Sequence, residues 1–181
     1  MRWHHLAAGL AALLVVCGQA TDRLGTPVED ARIEVFKAER RLRLYSGDTL
    51  LREYRVGLGF QPEGTKVRQG DGATPEGDYF VCTKNPHSRY HLSLGINYPN
   101  RRDADAARGA GAITAAQRDQ IRSAQRRRVC PPWNTALGGE IFIHGRGSSS
   151  DWTLGCVALD DPHIEELFAA VRVGTPVTIH P

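Results

Sequence analysis

A three-residue apolar run enclosed by glycines limits the possible folds more than any other part of this sequence. Ile141-Phe142-Ile143 follows the pair Gly138-Gly139 and leads directly into His144-Gly145. A run of β-branched and aromatic residues this short, bounded by glycines, predicts a fully buried strand. His144 therefore stands at the end of a central strand, at the rim of the core, where its ring can face a cleft.

The other apolar segments are also short, and most of them alternate apolar with polar residues, which predicts further β-strands. These strands cover residues 33–35, 42–44, 54–58, 79–82, 90–96 and 177–179. Residues 61–77 are rich in Gly, Pro and charged side chains and predict a long loop.

Two segments have the start signals of helices. Thr114 and Gln117 form a capping box ahead of a helix over residues 115–128. Asp161 is the expected N-cap of a second helix, which we expect Gly174 to end. Together with the strands, these helices predict one β-rich α+β domain.

The first twenty residues have the pattern of a secretory signal peptide. A short basic start precedes the apolar stretch 6–16, and small residues lead to a cleavage site after Ala20. We expect residues 21–30 to be a short linker and residues 31–181 to be the folded domain. The mature protein would then be exported to the periplasm or cell envelope, with no further segment apolar enough to cross a membrane.

Cys17 directly follows the apolar stretch, which leaves a lipid anchor open as an alternative. The preceding Val16 is bulkier than the small residue usual at that position, so the cleaved form is favoured. The formal net charge is only +3, which argues against a dedicated nucleic-acid partner.

Export changes the interpretation of the cysteines, because disulfides persist in oxidising compartments. Without the leader, Cys82, Cys130 and Cys156 remain, and this odd number leaves at least one thiol without an internal partner. The simplest arrangement joins Cys82 to Cys130 and leaves Cys156 free. Three reduced cysteines remain the alternative at this point.

Cys156 and His144 are candidates for a nucleophile and its base. The flexible Gly- and Ser-rich loop between them can return Cys156 to the cleft that His144 faces. A neighbouring imidazole lowers the pKa of a thiol or takes its proton. The N–H groups of Gly155 and Cys156 can stabilise an oxyanion, and the Gly145 carbonyl can accept the second ring N–H of His144.

Two alternatives use the same residues differently. Cys156 and His144 can be ordinary core residues without a chemical role. A metal site built from His144, Cys156 and His163 is the second alternative, although the close ligand pairs of structural zinc sites are absent from the sequence.

The strand ending in His-Gly, followed by a loop and Thr153-Leu154-Gly155-Cys156-Val157, resembles the L,D-transpeptidase catalytic domain, the YkuD-like family. The loop 70–77 and the closing segment 174–177 also have counterparts there. The resemblance implies a twisted β-sandwich with two or three peripheral helices, Cys156 as nucleophile and His144 as base. It implies peptidoglycan stem peptides as substrate and no metal or organic cofactor.

Two departures bear on the substrate. Ala158 stands where an arginine is common in the family, and residues 90–100 are similar to the YafK-type branch. In that branch the same chemistry can be turned to hydrolysis that releases a wall-linked lipoprotein. We therefore expect an exported cysteine acyltransferase, with a hydrolase of the same fold (an L,D-carboxypeptidase or amidase) as the alternative. A non-catalytic peptidoglycan-binding module, or a sortase that uses Arg172, would also be exported and β-rich.

Six residues are candidates for contacting the substrate. Three lie on the strand that begins near residue 90, where polar side chains at alternate positions face one side. The remaining three lie on the loop between His144 and Cys156. They are Tyr90, His91, Ser93, Arg146, Trp152 and Thr153.

Overall fold

Leu24 and residues 27–181 are described by the computed structural model of the chain; the predicted signal peptide and Cys17 lie outside the described residues. Eight strands and three helices make up this part of the chain. The strands are β1 (Ala31–Phe36), β2 (Arg41–Ser46), β3 (Thr49–Arg55), β4 (Gly77–Ser88), β5 (His91–Ile96), β6 (Phe142–His144), β7 (Val157–Ala158) and β8 (Pro176–His180). The helices are α1 (Arg101–Gly109), α2 (Ala115–Arg126) and α3 (Asp161–Ala170).

All eight strands belong to one sheet in the order β3-β2-β1-β8-β4-β5-β6-β7. Neighbours are antiparallel except for two parallel pairs, β1 with β8 and β6 with β7. The segment after β3 forms bridges from Gly57 to Ala158 and from Gly59 to Thr153, so the two ends of the sheet meet. The sheet therefore curls over on itself and encloses one core. The β-rich α+β class is confirmed, and the twisted β-sandwich that the resemblance implies takes the form of one sheet folded over on itself.

The main core lies between the two halves of the curled sheet. Ile33, Leu44 and Ile143 are among its fully buried side chains, and they come from strands on both halves. Helix α3 closes the core on one side with Ile164 and Leu167. Since alternate residues of β1 and β2 are buried, the apolar–polar alternation in the sequence correctly marks the inner face.

Helices α1 and α2 follow β5 and precede β6 along the chain. They pack against each other and have a small core of their own. Its members are mostly alanines and isoleucines: Ala104, Ala107, Ile113, Ile121 and Leu137. The predicted capping box of α2 is present, with Thr114 and Gln117 bonded in both directions. Helix α1 was not predicted, although Asn100 and Asp103 form a capping box at its start.

The sequence misplaces both ends of α3. Its N-cap is Asp160 instead of Asp161, and it ends at Ala170, well before Gly174. The N-cap is misplaced because the prediction puts Pro162 at the first helical position. Proline is accepted throughout the first turn of a helix, so it does not fix which residue is the N-cap. The predicted third strand also begins earlier, at Thr49, and residues 56–58 continue it only through an isolated bridge.

Part of the predicted linker 21–30 is described, and it contacts the domain. The Val28 N–H donates to the Ala170 carbonyl at 2.8 Å, and Leu24 and Val28 pack against the main core. Within the described residues, no helix has the length and apolar character that a membrane crossing requires.

Candidate active site

His144 ends β6, and its position is fixed by strands on both sides. Ser93 of β5 is its antiparallel partner and Ala158 of β7 its parallel partner. The side chain is almost fully buried, and Nδ1 lies 2.7 Å from the carbonyl oxygen of Gly145. A carbonyl only accepts hydrogen bonds, so this contact assigns the proton to Nδ1 and leaves the lone pair on Nε2.

Two aromatic side chains enclose the His144 ring. Tyr90 stacks on it with ring centroids 4.6 Å apart, and Trp152 contacts it edge-on at 5.6 Å. Trp152 is held in turn, because its Nε1–H donates to the Gly147 carbonyl at 3.1 Å. The imidazole is therefore restricted in tautomer and in orientation.

Cys156 immediately precedes β7 and lies beside β6. In the parallel register Val157 pairs with Ile143, which places Cys156 next to Phe142. The Phe142 N–H donates to Sγ at 3.4 Å, and the thiol donates to the Glu140 carbonyl at 3.6 Å. Within residues 27–181 these are the hydrogen-bond partners of the thiol, and the His144 imidazole is not among them.

His144 and Cys156 open onto one cavity of about 760 Å³. Side chains two residues apart on a strand point to the same face, so His144 lies on the same side of β6 as Phe142, the neighbour of Cys156. Both residues of the predicted pair therefore line the same cavity.

This environment favours the neutral form of both groups near pH 7. Burial raises the pKa of the Cys156 thiol to about 11, against the opposing effect of the Phe142 N–H. Burial lowers the pKa of His144, and the hydrogen bond to Gly145 opposes this. Of the two roles considered for the imidazole, proton acceptor fits these shifts, whereas a resting thiolate–imidazolium pair does not.

A tight turn before Cys156 uses the Gly155 N–H internally. This N–H donates to the Thr153 hydroxyl at 3.1 Å, and that hydroxyl donates to the Cys156 carbonyl at 2.8 Å. Gly155 therefore does not supply the oxyanion contact expected from sequence. Among the hydrogen bonds of residues 27–181, none uses the N–H of Cys156, which leaves this group available.

Gly155 is instead important for the conformation of the turn before Cys156. Its φ of +128° lies in a region that other residues avoid, and a Cβ at this position would lie 2.6 Å from the carbonyl oxygen of Ala73. Glycine is thus required for the turn that delivers Cys156 to the cavity.

Four of the six predicted substrate residues line the cavity: Tyr90, Ser93, Trp152 and Thr153. His91 and Arg146 do not. His91 has a φ of +72° that breaks the alternation along β5, and its Nε2 lies 2.7 Å from Glu165. Arg146 has a φ of +79°, its N–H donates to Asp161, and its side chain is exposed away from the cavity.

Several cavity residues were not identified from sequence. Lys66 comes from the long loop 61–77, and Arg89 from the turn between β4 and β5. Trp133 and Glu140 come from the segment between α2 and β6. The sequence offered one signal for two of them, which is proximity to residues already predicted to lie at the cleft. Arg89 directly precedes Tyr90, and Glu140 begins the segment leading to β6.

The cysteines have the simplest of the considered arrangements. Cys82 and Cys130 form a disulfide with Cα atoms 5.1 Å apart, and Cys156 is the free cysteine of the described residues. The bridge connects β4 to the segment that follows α2.

Two rival assignments each require a residue that lies outside the cavity. His163 packs against Tyr54 with ring centroids 5.2 Å apart, and no three His, Cys, Asp or Glu side chains in the described residues are grouped to hold a metal. Arg172, required for a sortase, follows α3 and donates its N–H to Thr175. Neither residue contributes to the lining of the cavity.

The fold and the site define the class of protein. The chain belongs to the L,D-transpeptidase catalytic domain family, YkuD, whose family model matches residues 30–179. This confirms the resemblance on the motif around His144 and Cys156.

Among its relatives is YafK of Escherichia coli (strain K12), a protein assigned to the L,D-transpeptidases. The two are 40% identical over 171 residues, which cover 87% of this chain and 55% of YafK. The similarity of residues 90–100 to the YafK-type branch agrees with this relative. The chain thus spans about half the length of the curated relatives it matches.

Solved structures show the same fold. The helical cell shape determining protein Pgp2 of Campylobacter jejuni is 23% identical, with a TM-score of 0.54 over 87% of this chain and 50% of that one. Bd1075 of Bdellovibrio bacteriovorus is 22% identical, with a TM-score of 0.52 over 84% of this chain and 48% of that one. At these identities the likeness concerns the fold.

Proposed function

We propose that this protein is an exported cysteine acyltransferase that acts on peptidoglycan stem peptides. The observation that carries the proposal is the single cavity that His144, as the base, and Cys156, as the nucleophile, both line. Family membership and the 40% identity to YafK support the substrate class. The signal-peptide pattern of the first twenty residues supports export.

In the first half-reaction, Cys156 Sγ attacks the carbonyl carbon of the peptide bond between the diamino acid and the terminal D-alanine. His144 Nε2 takes the thiol proton as the carbon–sulfur bond forms, because both groups are neutral before the attack. The tetrahedral oxyanion is stabilised by the Cys156 N–H. The imidazolium then returns the proton to the departing D-alanine amine, and a thioester remains on Cys156.

In the second half-reaction, an acceptor attacks the thioester and the sulfur leaves. His144 takes a proton from the acceptor and returns it to the Cys156 sulfur, which restores the starting state. An amine as acceptor gives a cross-link or an attachment to the wall. Water as acceptor gives hydrolysis, so the two outcomes differ only in this step.

The test is incubation of the mature chain with purified muropeptides, read by mass spectrometry. Loss of D-alanine with a new cross-link indicates transfer, whereas loss of D-alanine without a cross-link, or release of a wall-linked peptide, indicates hydrolysis. Cys156→Ala and His144→Ala should abolish both, and His87→Ala, an exposed histidine, serves as the matched control. Unchanged muropeptides would contradict the proposal and favour a binding module.

A further inference from the structure

We infer that Arg89 forms a carboxylate-binding subsite at the edge of the reaction cavity, which anchors one free carboxylate of the stem peptide. The inference rests on the proposed function, because it concerns the substrate of the same cavity. It assigns a binding role to the turn between β4 and β5.

Arg89 contacts Tyr90, which in turn contacts His144. Its guanidinium carbon is 4.8 Å from the centroid of the Tyr90 ring, and Tyr90 stacks on His144. The side chain lines the cavity and is exposed, so a bound group can reach it.

Arg89 is the cation of the cavity that is available to a ligand. Lys66, the second cation in the lining, is buried and pairs with Asp71 at 2.8 Å, and it also donates to the Arg68 carbonyl. Arg89 has no carboxylate partner within residues 27–181. Because the ring of Tyr90 supports it without neutralising it, its five N–H donors remain free for an anion.

The neighbouring Ser88 adds a second donor. Its Oγ accepts the Tyr90 N–H at 3.1 Å, which leaves the hydroxyl hydrogen for donation, and the side chain lines the cavity. A planar guanidinium matches the geometry of a carboxylate, which arginine binds through two parallel N–H donors. Stem peptides carry free carboxylates, so the subsite fits an acidic peptide.

Glu140 carries the opposite charge in the same cavity and provides the critical comparison. If Arg89 acted only through the overall electrostatic field, Arg89→Gln should weaken the dependence of binding on every peptide carboxylate to a similar extent, and Glu140→Gln should strengthen it. If Arg89 pairs directly with a carboxylate, only Arg89→Gln should change how binding depends on that one carboxylate.

The experiment measures calorimetric binding of a stem tetrapeptide to the mature chain carrying Cys156→Ala, which cannot turn the peptide over. Each carboxylate of the peptide is replaced by a carboxamide in turn. We expect one amidation to weaken binding about tenfold or more, in the range of a charge-assisted hydrogen bond. Combined with Arg89→Gln, the same amidation should cost less than about twofold, whereas with Arg89→Lys it should keep an intermediate effect.

Equal losses on amidation with and without Arg89→Gln would overturn the inference, as would the absence of peptide binding. Arg108→Gln, on the distant helix α1, is the matched control and should leave every affinity unchanged. Wild-type turnover separates the two proposals. If the wild type turns the peptide over but Arg89→Gln does not change the effect of amidation, only the subsite is contradicted. If Arg89→Gln changes the effect of amidation but the wild type shows no turnover, only the acyltransferase is contradicted.

Discussion

Tyr90 stacks on His144 with ring centroids 4.6 Å apart and an angle of 24° between the ring planes. Tyr90 lies in the turn before β5, and His144 ends the adjacent β6. The Gly145 carbonyl, 2.7 Å from Nδ1, restrains the same imidazole from another direction. The orientation of the His144 ring is thus set by the β5–β6 pairing and by the backbone next to it.

Replacing Tyr90 by leucine should lower kcat by about tenfold to a hundredfold, because a base that is misplaced by about an ångström loses that much rate. KM should change less than kcat. Tyr90→Phe, which keeps the ring, is the control and should retain most of the activity. Steady-state kinetics on a defined muropeptide check this, and equal losses for both variants would show that the hydroxyl matters and the stack does not.

Alkylation of Cys156 by iodoacetamide should be slow at pH 7 and should accelerate about tenfold per pH unit towards the thiol pKa of about 11. The sign follows from the raised pKa: the thiol holds its proton until high pH, and the thiolate is the reactive form. At pH 7 the thiolate fraction is on the order of a hundredfold below that of an ordinary cysteine.

The same labelling tests the role of His144. His144→Ala should change the alkylation rate of the free protein less than about threefold, since no ion pair exists to be lost, while substrate acylation disappears. A rate plateau near neutral pH that vanishes in His144→Ala would instead reveal a resting thiolate–imidazolium pair.

Gly155→Ala should destabilise the protein by about 1–3 kcal/mol and greatly reduce activity, because it combines a positive φ with a collision against Ala73. Gly47→Ala is the control for a positive φ without a collision, in the less restrictive left-handed helical region. Gly47 also has a positive φ, of +52°, but nothing lies within 4 Å of an added Cβ. Chemical denaturation of both variants checks the prediction, which fails if Gly155→Ala is no less stable than Gly47→Ala.

Removing the disulfide by Cys82→Ser with Cys130→Ser should cost roughly 4 kcal/mol, as expected for a loop closed over a separation of 48 residues. A reductant should lower the unfolding midpoint of the wild type to that of the double variant. Cys156→Ser is the control and should remain sensitive to reductant. An unchanged midpoint under reduction would indicate that the bridge contributes nothing to stability.

The sequence predicts the strands well where one face is buried. Ile33, Val35, Leu42 and Leu44 alternate with polar residues and form the inner face of β1 and β2. It does not predict their order in the sheet, because the pairing of β1 with β8 and the closure by Gly57 depend on tertiary contacts. Helix α1 is not predicted from the sequence because it buries only alanines, which produce no apolar periodicity.

The sequence indicates the proposed catalytic pair, whereas it does not indicate much of the cavity wall. His144 and Cys156 stand at motif positions, but the direction of His91 depends on a positive φ that no local residue type requires. Likewise, Asp160 is the N-cap of α3 by position, but its side chain accepts no capping hydrogen bond from the first turn of the helix. It accepts hydrogen bonds from Ser148, on the loop between His144 and Cys156. Such long-range partners are decided by folding, so sequence spacing alone misassigns them.

The most direct measurement is the intact mass of the mature protein after rapid mixing with a stem tetrapeptide substrate. We expect a transient adduct equal to the tetrapeptide less D-alanine, located on Cys156 and released by hydroxylamine as thioesters are. The adduct should be absent from Cys156→Ala and strongly reduced in His144→Ala. An adduct that persists in Cys156→Ala, or turnover of the peptide without any dependence on Cys156, would contradict the account.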